Sequence, residues 1–172
     1  MKKVNKRITM AALAGVILLA SVTGVVFSHC EIPCGIYDDP MRIDMLAEHI
    51  TTLEKSIKQI NMLSEAGDKN YNQLVRWISN KEHHADAFAE IVTQYFMTQR
   101  IKPAAKGNTS DYEAYVHKLT LLHQMLVTSM KCKQTTDLEH IATLRSLLGE
   151  FRTAYLGPQA AHVHGSGEPH TH

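Results

Sequence analysis

The sequence predicts an all-α protein, an antiparallel four-helix bundle preceded by a short N-terminal hook. Three observations carry that expectation. Four stretches place apolar residues at alternating steps of three and four, each with start and stop signals and short connections between them. The side chains are 44% hydrophobic but only 6% aromatic, an aliphatic composition that suits helix packing, and no stretch alternates with the period of a strand. Between a hydrophobic leader and the first helical stretch lies a polar segment holding two of the three cysteines. A chain of 172 residues is long enough for one such domain and too short for two separate cores.

Residues 1–28 read as a signal peptide. Lys2, Lys3, Lys6 and Arg7 precede an apolar run from Ile8 to Phe27, and Val26 and Ser28 are small enough for a signal-peptidase site. Cleavage after Ser28 makes His29 the new N-terminus. The run is also about twenty residues long, near the length that spans a bilayer, so a retained membrane anchor is the competing expectation. Acylation of Cys30 is disfavoured by the bulky His29 before it. Export, to a periplasm or the cell exterior, is the expected localisation.

Residues 29–37, His29-Cys30-Glu31-Ile32-Pro33-Cys34-Gly35-Ile36-Tyr37, form the hook. Thiolate and imidazole are ligands that suit late first-row metals. Pro33 limits the backbone between the two sulfurs, and Gly35 permits a positive φ for a tight reversal. Two nearby cysteines in an exported chain are equally readable as a disulfide, and their spacing does not decide between the two. His29 at the processing point tilts the reading toward metal, because its freed α-amine adds a nitrogen ligand to its imidazole. Thiolates outside the cytoplasm are also oxidised unless something such as a metal protects them.

The bundle is expected over residues 38–157. Asp39 as N-cap and Pro40 at the first helical position open the first helix. Its stripe is Ile43, Leu46, Ile50, Leu53, Ile57 and Ile60, with Gly67 and Asp68 as the stop. A second helix starts near Asn70, with Leu74, Ile78, Ala85, Phe88, Val92 and Tyr95 on one face, and Pro103 to Asn108 is a loop. Ser110-Asp111-Tyr112-Glu113 has the capping-box pattern for a third helix, striped by Tyr112, Tyr115, Leu119, Leu122 and Leu126. Thr136-Asp137-Leu138-Glu139 repeats the pattern before a fourth stripe of Ile141, Leu144, Leu148, Phe151 and Tyr155, which Gly157-Pro158 ends.

Residues 158–172 read as a flexible His-rich tail. His162, His164, His170 and His172 make it either a solubilising end or a weak, exchangeable metal binder that gathers cation for the hook. Cys132 reads as a small buried hydrophobe. Of His83 and His84, one is expected to face solvent and the other to pack. His49, His117, His123 and His140 read as isolated structural histidines. A di-iron bundle site would need Glu-x-x-His on two helices, and a c-type haem would need C-x-x-C-H; neither occurs. Of 18 Lys and Arg, four lie in the acid-free first 28 residues, which leaves 14 against 17 acidic side chains in the body. That balance argues against a nucleic-acid partner, which would need a concentrated basic face.

The string H-C-x-x-P-C-G-x-Y at a processed terminus, ahead of a helical body of this size, resembles nickel superoxide dismutase. The match rests on His29, Cys30, Pro33, Cys34, Gly35 and Tyr37. The resemblance implies conversion of superoxide to oxygen and hydrogen peroxide by Ni(II)/Ni(III) cycling in a homohexamer, with one nickel per subunit. It implies nickel bound by the α-amine and imidazole of His29, the backbone nitrogen of Cys30, and the thiolates of Cys30 and Cys34. His29 and Tyr37 would then be catalytic, with Tyr37 guarding the open face. Pro33 and Gly35 would shape the hook, and Glu31 stands where an aspartate is common. The acid and arginine that hold the imidazole map nearest to Asp44 and Arg76. The leader departs from the short propeptide of some members, which a dedicated protease removes in the cytoplasm; it makes a signal peptidase the expected maturation partner, with a nickel-delivery factor beside it. Two other readings are an exported, non-catalytic nickel or copper carrier using the same hook, and an anchored bundle with a Cys30–Cys34 disulfide.

Overall fold

A computed structural model describes residues 38–66 and 70–158. Helix α1 spans Asp39–Glu65, and α2 spans Tyr71–Glu90 and continues without a break into a π-helical segment, Ile91–Arg100. Helix α3 spans Thr109–Gln134 and α4 spans Glu139–Leu156. No strand occurs among the described residues.

Each helix packs on its neighbours in sequence, and α4 closes the bundle against α1. Cross-helix pairs give the directions. Glu54 and Asp44 of α1 meet Arg145 and Arg152 of α4, so position rises on one helix as it falls on the other. Lys81 and Ala85 of α2 likewise meet Cys132 and Ser129 of α3. The fold is the expected antiparallel four-helix bundle.

All six residues of the α1 stripe are buried, as are Ile141, Leu144, Leu148 and Phe151 of α4. Two expected stripes differ. In α3 the buried face is Leu121, Leu122, Met125, Thr128, Ser129 and Cys132, while Tyr112, Tyr115, Leu119 and Leu126 are only partly covered. In α2, Ile78 is 40% exposed. For α2 the reason is length. Helix α3 ends level with Lys81, whose buried ammonium donates to the Cys132 carbonyl at 2.8 Å and also to the Lys133 carbonyl. The start of α2 overhangs that end: Tyr71 and Val75 are exposed, and Ile78 lines an open cleft with Lys133 and Gln134 at the last turn of α3. Lys81 satisfies carbonyls that the last turn of α3 leaves without helical partners, and its charge complements the helix dipole there.

Three helix starts lie beside their expected caps. Asp38, not Asp39, caps α1, its side chain accepting from the Met41 amide at 2.9 Å. Asn108, not Ser110, caps α3 by accepting from the Asp111 amide. At α4 the capping box does not form; Asp137 accepts from the Glu139 amide at 2.9 Å, a bond local to the turn. Gly157, at φ 91°, ends α4 in a conformation that a side chain would strain.

Candidate metal centre

His29, Cys30, Glu31, Pro33, Cys34, Gly35 and Tyr37 lie outside the described residues, as do the leader and His162, His164, His170 and His172. The described residues begin at Asp38, directly after Tyr37 in the sequence, and so include the start of α1.

The start of α1 is organised around one carboxylate. Because Asp38 takes the cap, Asp39 in the first turn of α1 is released to reach across the bundle. Its Oδ1 accepts from the Tyr95 hydroxyl at 2.6 Å and from Arg100 Nε at 2.7 Å. Its Oδ2 accepts from the Tyr155 hydroxyl at 2.9 Å and from Arg100 Nη2 at 2.8 Å. The arginine pair is bidentate, the stronger and more directional form of this interaction.

The π-helical segment makes this possible. Residues five apart in an α-helix stand about 140° apart around the axis, so Tyr95 and Arg100 would diverge. In a π-helix the i→i+5 bonding widens the turn and brings residues five apart onto one face. The Ile101 amide donates to the Phe96 carbonyl at 2.9 Å, and the Thr98 and Gln99 side chains likewise reach back five residues, to Thr93 and Gln94. The Arg100 guanidinium accordingly lies 5.4 Å from the Tyr95 ring centroid, with that of Arg42 at 4.9 Å. Beneath the two phenols, Phe96 and Phe151 are fully buried and meet edge to face at 5.0 Å between centroids.

The electrostatics follow from this packing. Burial alone would raise the Asp39 carboxyl, but bonds from Arg100, Tyr95 and Tyr155, with the Arg100 charge, hold it below the ordinary carboxylate range. Burial and the Asp39 hydrogen bond push the Tyr155 phenol up to about 12 and raise Tyr95 in the same sense. Both phenols are therefore protonated donors at neutral pH.

The two residues expected to hold the hook imidazole are not brought together. Asp44 pairs with Arg152 of α4 at 2.7 Å, while Arg76 is exposed on the overhanging part of α2. The ion pair joins residues 108 positions apart, which no local pattern announces. Cys132 is fully buried and its thiol is pushed up to about 11, mainly by burial, so it is a packed neutral side chain as expected. His83 is exposed and His84 partly buried, also as expected. His49 is not isolated: its Nδ1 lies 2.9 Å from Nδ1 of His84.

Among the described residues, no three His, Cys, Asp or Glu side chains gather as a metal site. The expected nickel donors, in residues 29–34, lie outside the described residues, and their chemistry can be set against the metal. Two thiolates with amine, amide and imidazole nitrogens are a strong-field set that fits square-planar Ni(II).

No curated protein and no solved structure matches the chain significantly. The family model for nickel-containing superoxide dismutase matches residues 24–158, a span that takes in the whole hook and all four helices. With its sulfur-bearing N-terminal string and its four-helix body, the chain belongs to the nickel-containing superoxide dismutase family, and is an enzyme that acts on superoxide with nickel as its cofactor.

Proposed function

We propose that this chain disproportionates superoxide at a nickel ion held by the processed N-terminus, with His29, Cys30 and Cys34 as the ligand residues. The observation that carries the reading is that the donor string begins directly behind a predicted signal-peptidase site and lies inside the family match. When bound, nickel supplies a Ni(III)/Ni(II) couple, lowered by sulfur and amidate donors into the range where it both oxidises and reduces superoxide.

The chain's own residues do the rest. Removal of the leader turns the His29 nitrogen from an amide into an amine, whose ordinary pKa near 8 leaves a usable lone pair at neutral pH. Cys30 and Cys34 act as thiolates, and Pro33 and Gly35 restrict the loop between and behind them. Tyr37 offers a phenol hydroxyl that orders the incoming anion by hydrogen bonding. Asp39, two residues on, is tied to three side chains on two other helices, so the hook is joined to a fixed point of the bundle. Glu31 belongs to the polar surroundings of the ligands. Asp44 is held by Arg152 in this bundle, so a role for it at the imidazole would run through that pair.

The same reading has a signal peptidase expose His29 outside the cytoplasm, with nickel delivered there. It assembles the subunits as a homohexamer, for which the exposed Tyr71 and Val75 of α2, at 67% and 60%, offer apolar surface. Among the described residues no helix is long and apolar enough to cross a membrane. The family match favours the enzyme over a non-catalytic carrier. Cys34→Ser, which removes one thiolate, should drop nickel from about one per subunit to near zero and dismutation to background. A variant that keeps both would place the metal elsewhere.

A further inference from the structure

We propose that His49 and His84 form a second, exchangeable metal site that bridges α1 and α2 and takes a late first-row divalent cation through the two Nδ1 atoms. The pair comes from different helices, 35 residues apart in sequence, and its nitrogens face each other at 2.9 Å. A contact of that length between two ring nitrogens requires one Nδ1 to carry the proton and the other to offer its lone pair. Binding needs only that the donor ring move its proton to Nε2, after which both rings are neutral ligands and no net proton is released.

The spacing suits an ion. Two nitrogens at about 2.0–2.1 Å from one metal stand roughly 2.9 Å apart at a right angle and roughly 3.3–3.4 Å apart at the tetrahedral angle. The two rings stand with centroids 5.1 Å apart at an interplanar angle of 53°, and binding requires them to tilt until both lone pairs converge on the ion. Both side chains are partly buried, so the cation keeps access to solvent, and water completes its shell. His83, edge-on to His84 at 5.3 Å between centroids, is exposed and adds a third imidazole to the neighbourhood. Imidazole selects copper, nickel and zinc over magnesium or calcium. A site with two protein ligands is weak and fast, which sets it apart from a five-donor hook.

A cation that spans two helices in the folded state stabilises that state by mass action. The test is thermal unfolding of the mature protein with its hook already loaded with nickel, titrated with zinc alone. The midpoint should rise, by about 5 °C or more once zinc exceeds its dissociation constant a hundredfold. The rise should vanish in His84→Gln and persist when residues 160–172 are deleted. Magnesium should give no rise. Should His84→Gln fold poorly, ring-nitrogen spectra of the unsubstituted protein decide, with zinc expected to shift the Nδ1 resonances of His49 and His84 together. No rise, a rise that survives His84→Gln, a rise that the tail deletion removes, or zinc shifts confined to other histidines would each overturn the site.

Discussion

The two ends of the bundle are held in different ways. At the hook end, Asp39 gathers two phenols and a bidentate guanidinium from the π segment and α4, over a buried layer of Phe96 and Phe151. At the opposite end, the start of α2 overhangs α3, Tyr71, Val75 and Ile78 are exposed, and Asn70 makes no side-chain cap. The polar organisation there lies about three turns into α2, where Lys81 closes α3. The bundle thus concentrates directional, charge-assisted bonds at the start of α1, which residues 29–37 precede in the sequence. In the proposed reading a ligand segment of nine residues needs a fixed root, and a carboxylate with four bonds would supply one.

The largest break in that contrast is Asp39→Ala. It leaves Arg100 and two phenols without their acceptor, and each hydrogen bond to a charged group is worth about 1.5–3 kcal/mol. A loss of about 2–3 kcal/mol in denaturant unfolding is expected, together with faster nickel loss from the hook to a chelator. Stability lost with nickel retention unchanged would separate the carboxylate from the hook.

Acid sharpens the comparison. The folded Asp39 carboxyl sits below its ordinary value of 3.8, so the unfolded chain takes up that proton first as pH falls. Its contribution is complete above the ordinary value and is lost as pH drops through the folded one. The His49 and His84 rings are held below 6.5, chiefly by burial, with neighbouring imidazole charge adding to it. The unfolded state again binds protons first, so stability begins to fall as pH drops below 6.5. Unfolding midpoints against pH should show both windows, Asp39→Asn removing the lower and His84→Gln the upper.

The smallest effect belongs to the overhang. Val75→Ser, at an exposed position away from any cap or pair, should change monomer stability by no more than about 0.5 kcal/mol and leave nickel retention untouched. A loss of hexamer in that variant would mark the overhang as a subunit contact.

The bundle was legible because burial in a helix repeats locally. Ile43 to Ile60 and Ile141 to Phe151 announce their buried faces within a few turns, and Gly157 announces its stop. What stayed hidden depends on register between elements. Nothing in Ile91–Arg100 distinguishes i→i+5 from i→i+4 bonding, so the meeting of Tyr95 and Arg100 could not be read. Asp38 and Asp39 are adjacent and chemically identical, and only the packed bundle shows that one caps and the other reaches across. Asp44–Arg152 and His49–His84 join distant positions through the angle and offset of whole helices. Arg76, the nearest arginine to the family position although shifted by about one residue, is exposed on α2. The string of residues 29–37 is read differently, from contiguous residues alone, and it lies outside the described residues.

In the proposed reading, processing of the leader makes the metal site. Intact mass and N-terminal sequence should be taken, with nickel content, on protein from a nickel-supplied, export-competent host. A chain that begins at His29 and carries one nickel per subunit is the predicted result. A chain that keeps its leader and still holds nickel and dismutates superoxide would contradict the account, because it has no free amine at His29.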